Sequence, residues 1–242
     1  MAKNKKRKTA NTDVATQSNK LIEATYRMSV PAKRVMLMLL GQIHPAQHDI
    51  SQKICINAAD YADKTGIDFS QSYKDIKKGC DELMNVIITT KDRKARTTEK
   101  CVVVDWMYYH EDEGWLEATF TRWLRPHIQH LQNIGYTSIA IDETLKFSRF
   151  YTIRLYELMM QFQKTEERYI TVKDLRKIFQ IAPKSYLGFK DLRVKVIEPS
   201  IKEIEEKTRW RVDWEPVKTG RKITSVMFVF SKETQLELDF GY

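Results

Sequence analysis

Two stretches of the chain, far apart in sequence, carry similar residues at similar spacings. Ile56 is followed four positions later by Asp60, and Ile170 is followed four positions later by Asp174. Further matches follow in the same order, namely Ser72-Tyr73 with Ser185-Tyr186, and Lys74-Asp75-Ile76-Lys77 with Lys190-Asp191-Leu192-Arg193. One such match could be chance, but a series in one order indicates an internal repeat. The chain is therefore expected to fold as two related units.

Hydrophobic periodicity and turn residues predict similar elements in both units. For the first unit they predict helices at Leu21–Arg27, Ala32–Ile43, Ala58–Thr65 and Gln71–Met84, strands at Lys53–Asn57, Val86–Thr90, Cys101–Tyr109 and Trp115–Phe120, and charged turns at Lys91–Lys100 and Glu111–Gly114. For the second they predict helices at Asp142–Gln163, Thr171–Gln180 and Phe189–Lys207, the last kinked or divided at Pro199, and strands at Arg168–Ile170, Arg209–Glu215 and Ile223–Phe230.

This order of elements is that of a winged helix: a helix, a short strand, two helices joined by a turn, and a β-hairpin. The predicted fold class is α+β, with two tandem winged-helix domains related by internal duplication. The predicted divisions are a basic mobile tail at 1–18, a first domain at 19–134 and a second domain at 135–242. Two domains of this size suit a chain of 242 residues.

The charge of the chain favours an anionic partner such as nucleic acid. The formal net charge is +9, and six Lys or Arg against one acid in the first 20 residues supply +5 of it. The interval from Lys184 to Lys222 carries eleven basic residues against seven acidic ones, interleaved with Tyr186, Phe189 and Trp210. Since this second cluster falls within predicted secondary structure, it can form a shaped basic surface. A mobile tail would add affinity without specificity.

The motifs that usually mark catalysis are missing. The sequence contains no GxxxxGK[ST] or GxGxxG phosphate loop, no HEXXH zinc motif and no His-x-His pair. We therefore predict no enzymatic activity, no metal site and no cofactor. Three widely spaced cysteines, the lack of an apolar run long enough to cross a bilayer and the lack of a secretory signal predict a cytoplasmic protein with no membrane partner.

A helix-turn-helix places the start of its second helix in the DNA major groove, which makes the basic and polar residues there the candidate DNA contacts. In the second unit these are Lys184, Ser185, Tyr186, Lys190, Arg193 and Lys195, with Lys218, Arg221 and Lys222 at the hairpin tip. In the first unit they are Lys74, Lys77 and Lys78 on the helix and Lys91, Arg93 and Lys94 after it, and we assign these mainly to phosphates. A solvated charge is the alternative for each residue alone. Arg193 also lies near the apolar side of its helix, so a structural role for its stem stays open.

Several stretches resemble the plasmid replication initiators that bind iterons. They are Phe147–Leu158, Phe189–Arg193 with Val196–Ile204, the Lys218–Lys222 turn and the early segment Ser18–Ala24. Arg154 and Glu157, within the first of these, could equally form a surface i,i+3 pair. The resemblance extends from Gln17 to Lys232, and the acidic segment Glu233–Asp239 departs from a basic DNA-binding surface.

The resemblance implies a protein that opens a plasmid origin without catalysing a reaction. Monomers would bind directly repeated sites in double-stranded DNA through both domains, with Lys190 and Arg193 on the main base-reading helix. A homodimer, in equilibrium with the monomer and formed through the first domain, would bind an operator at the protein's own promoter and repress it. The host initiator and replicative helicase would be partners. A transcriptional repressor without initiator activity is the first alternative, and a nickase that forms a tyrosine–DNA adduct is the second.

Overall fold

Two three-stranded antiparallel sheets with the same strand order organise the chain. The computed structural model describes residues 13–43, 53–92, 95–110, 113–131 and 134–233. The helices are α1 (Asn19–Ile22), α2 (Val30–Leu40), α3 (Ala58–Thr65), α4 (Phe69–Leu83), α5 (Ile141–Thr144), α6 (Phe150–Met160), α7 (Val172–Ile178), α8 (Phe189–Leu192) and α9 (Glu198–Lys207). The strands are β1 (Val14–Ser18), β2 (Ile54–Asn57), β3 (Ile87–Asp92), β4 (Thr97–Val102), β5 (Val104–His110), β6 (Trp115–Phe120), β7 (Tyr136–Ala140), β8 (Glu167–Thr171), β9 (Trp210–Thr219) and β10 (Lys222–Lys232).

The predicted repeat is present in the structure. The first sheet has the order β2-β6-β5 and the second has the order β8-β10-β9. In each unit the first strand leads into two helices and then into a hairpin, whose second strand lies at the centre of the sheet. The buried apolar residues of both units form one continuous core. The predicted fold class of two winged helices is therefore confirmed.

Local signals place several helix ends correctly. The Ser29 hydroxyl accepts a hydrogen bond from the backbone N–H of Ala32 at 3.3 Å, and Pro31 lies in the first turn of α2. Gly66 ends α3 with a φ of 71°, a left-handed conformation that costs glycine little. The helices predicted at Ala32–Ile43 and Ala58–Thr65 therefore correspond to α2 and α3.

The prediction of a mobile tail over residues 1–18 is wrong for its last five residues. Val14–Ser18 form β1, which pairs antiparallel with β7, and four of its five residues are buried. The buried residues of β1 are small or polar, namely Ala15, Thr16, Gln17 and Ser18, so hydrophobic periodicity does not mark this strand. Residues 1–12 lie outside the described ranges. The predicted boundary at 134/135 falls just before β7.

Two other segments also differ from the expected elements. The helix predicted over Asp142–Gln163 is divided into α5 and α6, because Phe147 O accepts a hydrogen bond from Arg34 Nη2 at 3.0 Å and Ser148 N donates one to Glu203 Oε1 at 2.6 Å. Side chains from other elements thus hold backbone groups that a continuous helix would use. The turn predicted at Lys91–Lys100 is largely a hairpin formed by β3 and β4, which is inserted in the first unit; residues 134–233 of the second unit form no counterpart.

Candidate nucleic-acid interface

The turn that precedes the second unit's recognition helix is held by an arginine from the preceding helix. Arg176 of α7 donates from Nη1 to the carbonyl oxygen of Tyr186 at 2.6 Å, and from Nη2 to that of Ser185 at 2.7 Å. Tyr186 has a φ of 49°, which a residue other than glycine adopts at some cost in free energy. The guanidinium stabilises this conformation and so fixes the entry to the helix. Sequence reasoning missed Arg176 because it considered charge as a contact to DNA and not as a brace for the turn.

The recognition helix itself is continuous from Phe189 to Lys207 but contains a π-helical turn at Arg193–Ile197. Within it, the backbone N–H of Glu198 bonds to the carbonyl of Arg193, five residues back. Pro199 has no N–H, so the normal α-helical bond from this position cannot form. The predicted kink at Pro199 therefore takes the form of a π turn just before the proline. Such turns are frequent at functional sites.

The candidate lysines of this helix and of the turn before it are exposed to solvent. Lys184, Lys190 and Lys195 are exposed, whereas Ser185 and Tyr186 are half-buried in the turn. The Lys195 ammonium lies 5.8 Å from the centre of the Tyr186 ring, a cation–π distance. Tyr186 therefore supports both the turn and a basic side chain.

Arg193 lies on the flank of the helix rather than at the middle of its exposed face. Its Nε is 3.4 Å from Glu198 Oε1, and the two side chains are 43% and 46% exposed. A π turn aligns residues five apart, so the π turn just before Pro199 brings Arg193 and Glu198 together in this ion pair. The Arg193 side chain is accessible from solvent, and its ion pair with Glu198 orients it along the flank of the helix.

The wing of the second unit is a long hairpin with a basic tip. β9 and β10 pair from Trp210 and Lys232 up to Thr219 and Lys222, and Gly220 in the turn has a φ of 61°. The predicted tip residues, Lys218, Arg221 and Lys222, are all exposed. The tip thus presents three cations on a rigid two-stranded ribbon.

In the first unit the candidate lysines lie on α4 and on the inserted hairpin. Lys74, Lys77 and Lys78 are exposed on α4, and Lys91 is exposed on β3 rather than in a turn. Arg93 and Lys94 lie outside the described residues. The position of α4 is fixed by Gly79, because a Cβ atom there would be 3.0 Å from Pro31 O and from a methyl group of Val35 on α2.

The wing of the first unit has the opposite character. Its tip sequence is His110-Glu111-Asp112-Glu113, of which residues 111 and 112 lie outside the described ranges. The rings of His110 and Trp115, the strand pair next to this turn, stack with their centres 3.5 Å apart. An acidic tip is unsuited to phosphate contacts, so the two wings cannot serve DNA in the same way.

A cleft of about 390 Å³ lies between the two units and brings a further set of cations together. Lys20 and Lys91 line it from the first unit, and Arg168 and Lys177 line it from the second. The guanidinium of Arg168 is paired with Glu23 at 3.0 Å. Of these residues only Lys91 was among the sequence candidates, because the cleft exists only once the units pack together.

The interpretation of Arg154 and Glu157 as a surface pair is wrong. Both side chains are fully buried, and Glu157 Oε1 lies 2.7 Å from the Nζ of Lys33 on α2. Arg154 Nη2 donates to the carbonyl oxygens of Ile22 at 2.7 Å and Ala24 at 3.0 Å. Burial alone would raise the pKa of Glu157, but the charges of Lys33 and Arg154 outweigh it and hold the pKa below its usual range. This network joins α6 to the segment around α1 and α2.

No group of three or more His, Cys, Asp or Glu within the described ranges is arranged to hold a metal ion. His127 is buried, and its Nδ1 lies 3.0 Å from the hydroxyl of Ser18, so it supports the junction of β1 and α1. Burial lowers the pKa of His127. Among the described helices, none combines the length and the apolar character that a bilayer span needs.

Comparison with known proteins assigns the chain to a protein family. The model of the first winged helix of initiator replication proteins matches residues 14–160, and the model of the second winged helix matches residues 171–230. The chain belongs to the initiator replication protein family. The resemblance stated from the sequence is thereby confirmed, and the first matched region includes β1, β7 and α6.

Two relatives of this initiator replication protein come from Escherichia coli. The PI protein is 27% identical over 245 residues, covering 88% of this chain and 80% of the relative. An uncharacterized 27.6 kDa protein is 25% identical over 224 residues, covering 87% and 92%. The solved structure of the Pi initiator protein in complex with iteron DNA matches with a TM-score of 0.80 and 24% identity, covering 92% of this chain and 98% of that one. This structure has the same fold.

Proposed function

We propose that this chain is a plasmid replication initiator that binds directly repeated duplex sites at an origin and helps to open it. The observation that carries the proposal is the basic helix-turn-helix and wing of the second unit, in a chain of the initiator replication family. The Pi initiator, which has the same fold, binds iteron DNA. An anionic duplex suits the exposed lysines of the recognition helix and of the turn before it, together with the three cations of the wing tip.

The division of labour between the units follows from their charges. The second unit, with its basic helix and basic wing, is proposed to read bases in the major groove. The first unit, with lysines on α4 and on the inserted hairpin and with an acidic wing, is proposed to position phosphates through the helix and that hairpin rather than through the wing. Monomers are proposed to bind the repeats, and dimers formed through the first unit are proposed to repress the protein's own promoter.

The remaining parts of the proposal concern partners and chemistry. Origin opening is proposed to need no bond making or breaking by this protein, and therefore no cofactor. The protein is proposed to act in the cytoplasm. The host initiator and replicative helicase are proposed to bind the opened complex. The double-stranded DNA of the origin is the primary ligand.

Footprinting of the DNA that flanks the gene, combined with permanganate probing of unpaired thymines, tests this function. An initiator should protect tandem direct repeats and produce permanganate reactivity beside them on supercoiled plasmid. Protection of a single inverted repeat without reactivity would indicate a transcriptional repressor. A covalent protein–DNA adduct would indicate a nickase, and either result would refute the proposal.

A further inference from the structure

Val194 lies at the centre of the exposed face of the recognition helix. The buried residues of this stretch include Leu192 and Val196, each two positions from Val194. Val194 itself lies in the π turn between these two buried positions, and it is 46% exposed. Its side chain is therefore on the solvent-facing side of the helix.

The residues around Val194 on this face are charged. Lys190 precedes it by four residues and Asp191 by three, and Lys195 follows it, all of them exposed. Arg193 is turned to the flank by its ion pair with Glu198. An isolated exposed valine needs no explanation on most surfaces, but here it lies among charged residues on the helix face that is proposed to enter the major groove.

The floor of the major groove offers one apolar group to such a side chain. Adenine, guanine and cytosine present hydrogen-bond donors and acceptors there, whereas thymine also presents its C5 methyl group. We propose that Val194 contacts the C5 methyl of a thymine near the centre of the site read by the second unit. This inference rests on the proposed function and adds a specificity determinant that carries no charge.

Selection from a random duplex library, followed by uracil substitution, tests the inference. The wild-type chain is expected to enrich one sequence, and each thymine of that sequence is then replaced in turn by uracil, which removes only the methyl group. One replacement should weaken wild-type binding about fourfold, equivalent to about 0.8 kcal/mol for one buried methyl group. V194A should bind the thymine and uracil forms of that position alike.

Val229 provides a matched control, since it is a valine of similar exposure, 45%, on β10. V229A should keep the wild-type uracil profile, and thermal unfolding should show that V194A and V229A are both folded. Enrichment of no sequence would refute the proposed function itself. An enriched sequence at which uracil never weakens wild-type binding, or weakens V194A equally, would refute the role of Val194 alone.

Discussion

Arg154 and Glu157 show that the contribution of an ion pair to stability depends on whether the pair is exposed or buried. On an exposed helix an i,i+3 pair contributes a few tenths of a kcal/mol. Here the carboxylate is surrounded by Lys33, Arg154, Gln17 and Tyr26, all of them buried. Removal of the negative charge of Glu157 would leave the buried cations of Lys33 and Arg154 with no anion between them.

Glu157→Gln is therefore expected to lower the free energy of unfolding by about 3–5 kcal/mol. Urea denaturation followed by circular dichroism measures the change. Lys202→Ala is the control, because Lys202 and Glu206 form an exposed i,i+4 pair, and its loss should cost under about 1 kcal/mol. Equal effects of the two substitutions would mean that the buried network is not a major source of stability.

Arg193 and Lys222 separate base reading from phosphate binding. Arg193→Ala is expected to weaken binding to the preferred duplex by about 1–3 kcal/mol and to relax sequence preference. Lys222→Ala is expected to weaken all sequences alike and to reduce the salt slope by about 1. Fluorescence anisotropy on the selected and a scrambled duplex over a salt series distinguishes them. Identical profiles would show that the two roles are assigned wrongly.

At the level of elements, the π turn of the recognition helix has a sequence signature that helical periodicity overlooks. Val196 and Ile201 are both buried but are five residues apart, a spacing that an α-helix places on different sides. One additional residue per turn brings the apolar face of α8 into line with that of α9. Ile197 is buried as well and lies four residues before Ile201, so the packing of this face favours the π turn independently of Pro199.

Pro199→Ala is accordingly expected to keep the π turn and to change the free energy of unfolding by no more than about 1 kcal/mol. Binding of the preferred duplex should stay within about twofold of wild type. A crystal structure of the variant and the anisotropy assay above check both points. A regular α-helix in that variant, with lost sequence preference, would show that the proline alone maintains the turn.

Other elements show which helix and strand boundaries can be predicted from the sequence and which cannot. The α3 helix ends at Gly66 as predicted, because its signal is local. β1 and β7 carry no such signal, since each is short and pairs with a segment distant in the chain. The break before α6 depends on Glu203 and Arg34, which periodicity near residue 147 cannot reveal. The basic candidates were found by charge, whereas Arg176 and Val194 required the fold.

For the whole molecule, Glu203 makes the free energy of unfolding depend on pH in the acid range. Its carboxylate accepts hydrogen bonds from the backbone N–H and the hydroxyl of Ser148, both at 2.6 Å, and from Lys207 at 2.8 Å. Burial alone would raise the pKa of Glu203, but the bonds from Lys207 and Ser148 lower it to about 2. A pKa lower in the folded than in the unfolded chain means that protons favour unfolding.

The contribution of Glu203 should be complete above about pH 4.5 and should be lost as the pH falls toward 2. Glu203→Gln should reduce the acid dependence of the unfolding free energy by about 3 kcal/mol across this interval. Urea unfolding at a series of pH values measures it. Glu206→Gln, at an exposed position, should leave the slope unchanged, and an unchanged slope in both variants would contradict the assignment.

The pairing of β1 with β7 also has a consequence for the order in which the protein forms during synthesis. Val14 pairs with Ala140, so the first strand leaves the ribosome long before its partner has been translated. At about 5–20 residues per second this interval lasts roughly 6 to 25 s. Throughout it, the newly made strand has an open edge that other chains could join. The first winged helix is synthesised before the second, yet it includes β7 and α6, which come just before the second winged helix in the chain. It can therefore be completed only after α6 has been translated.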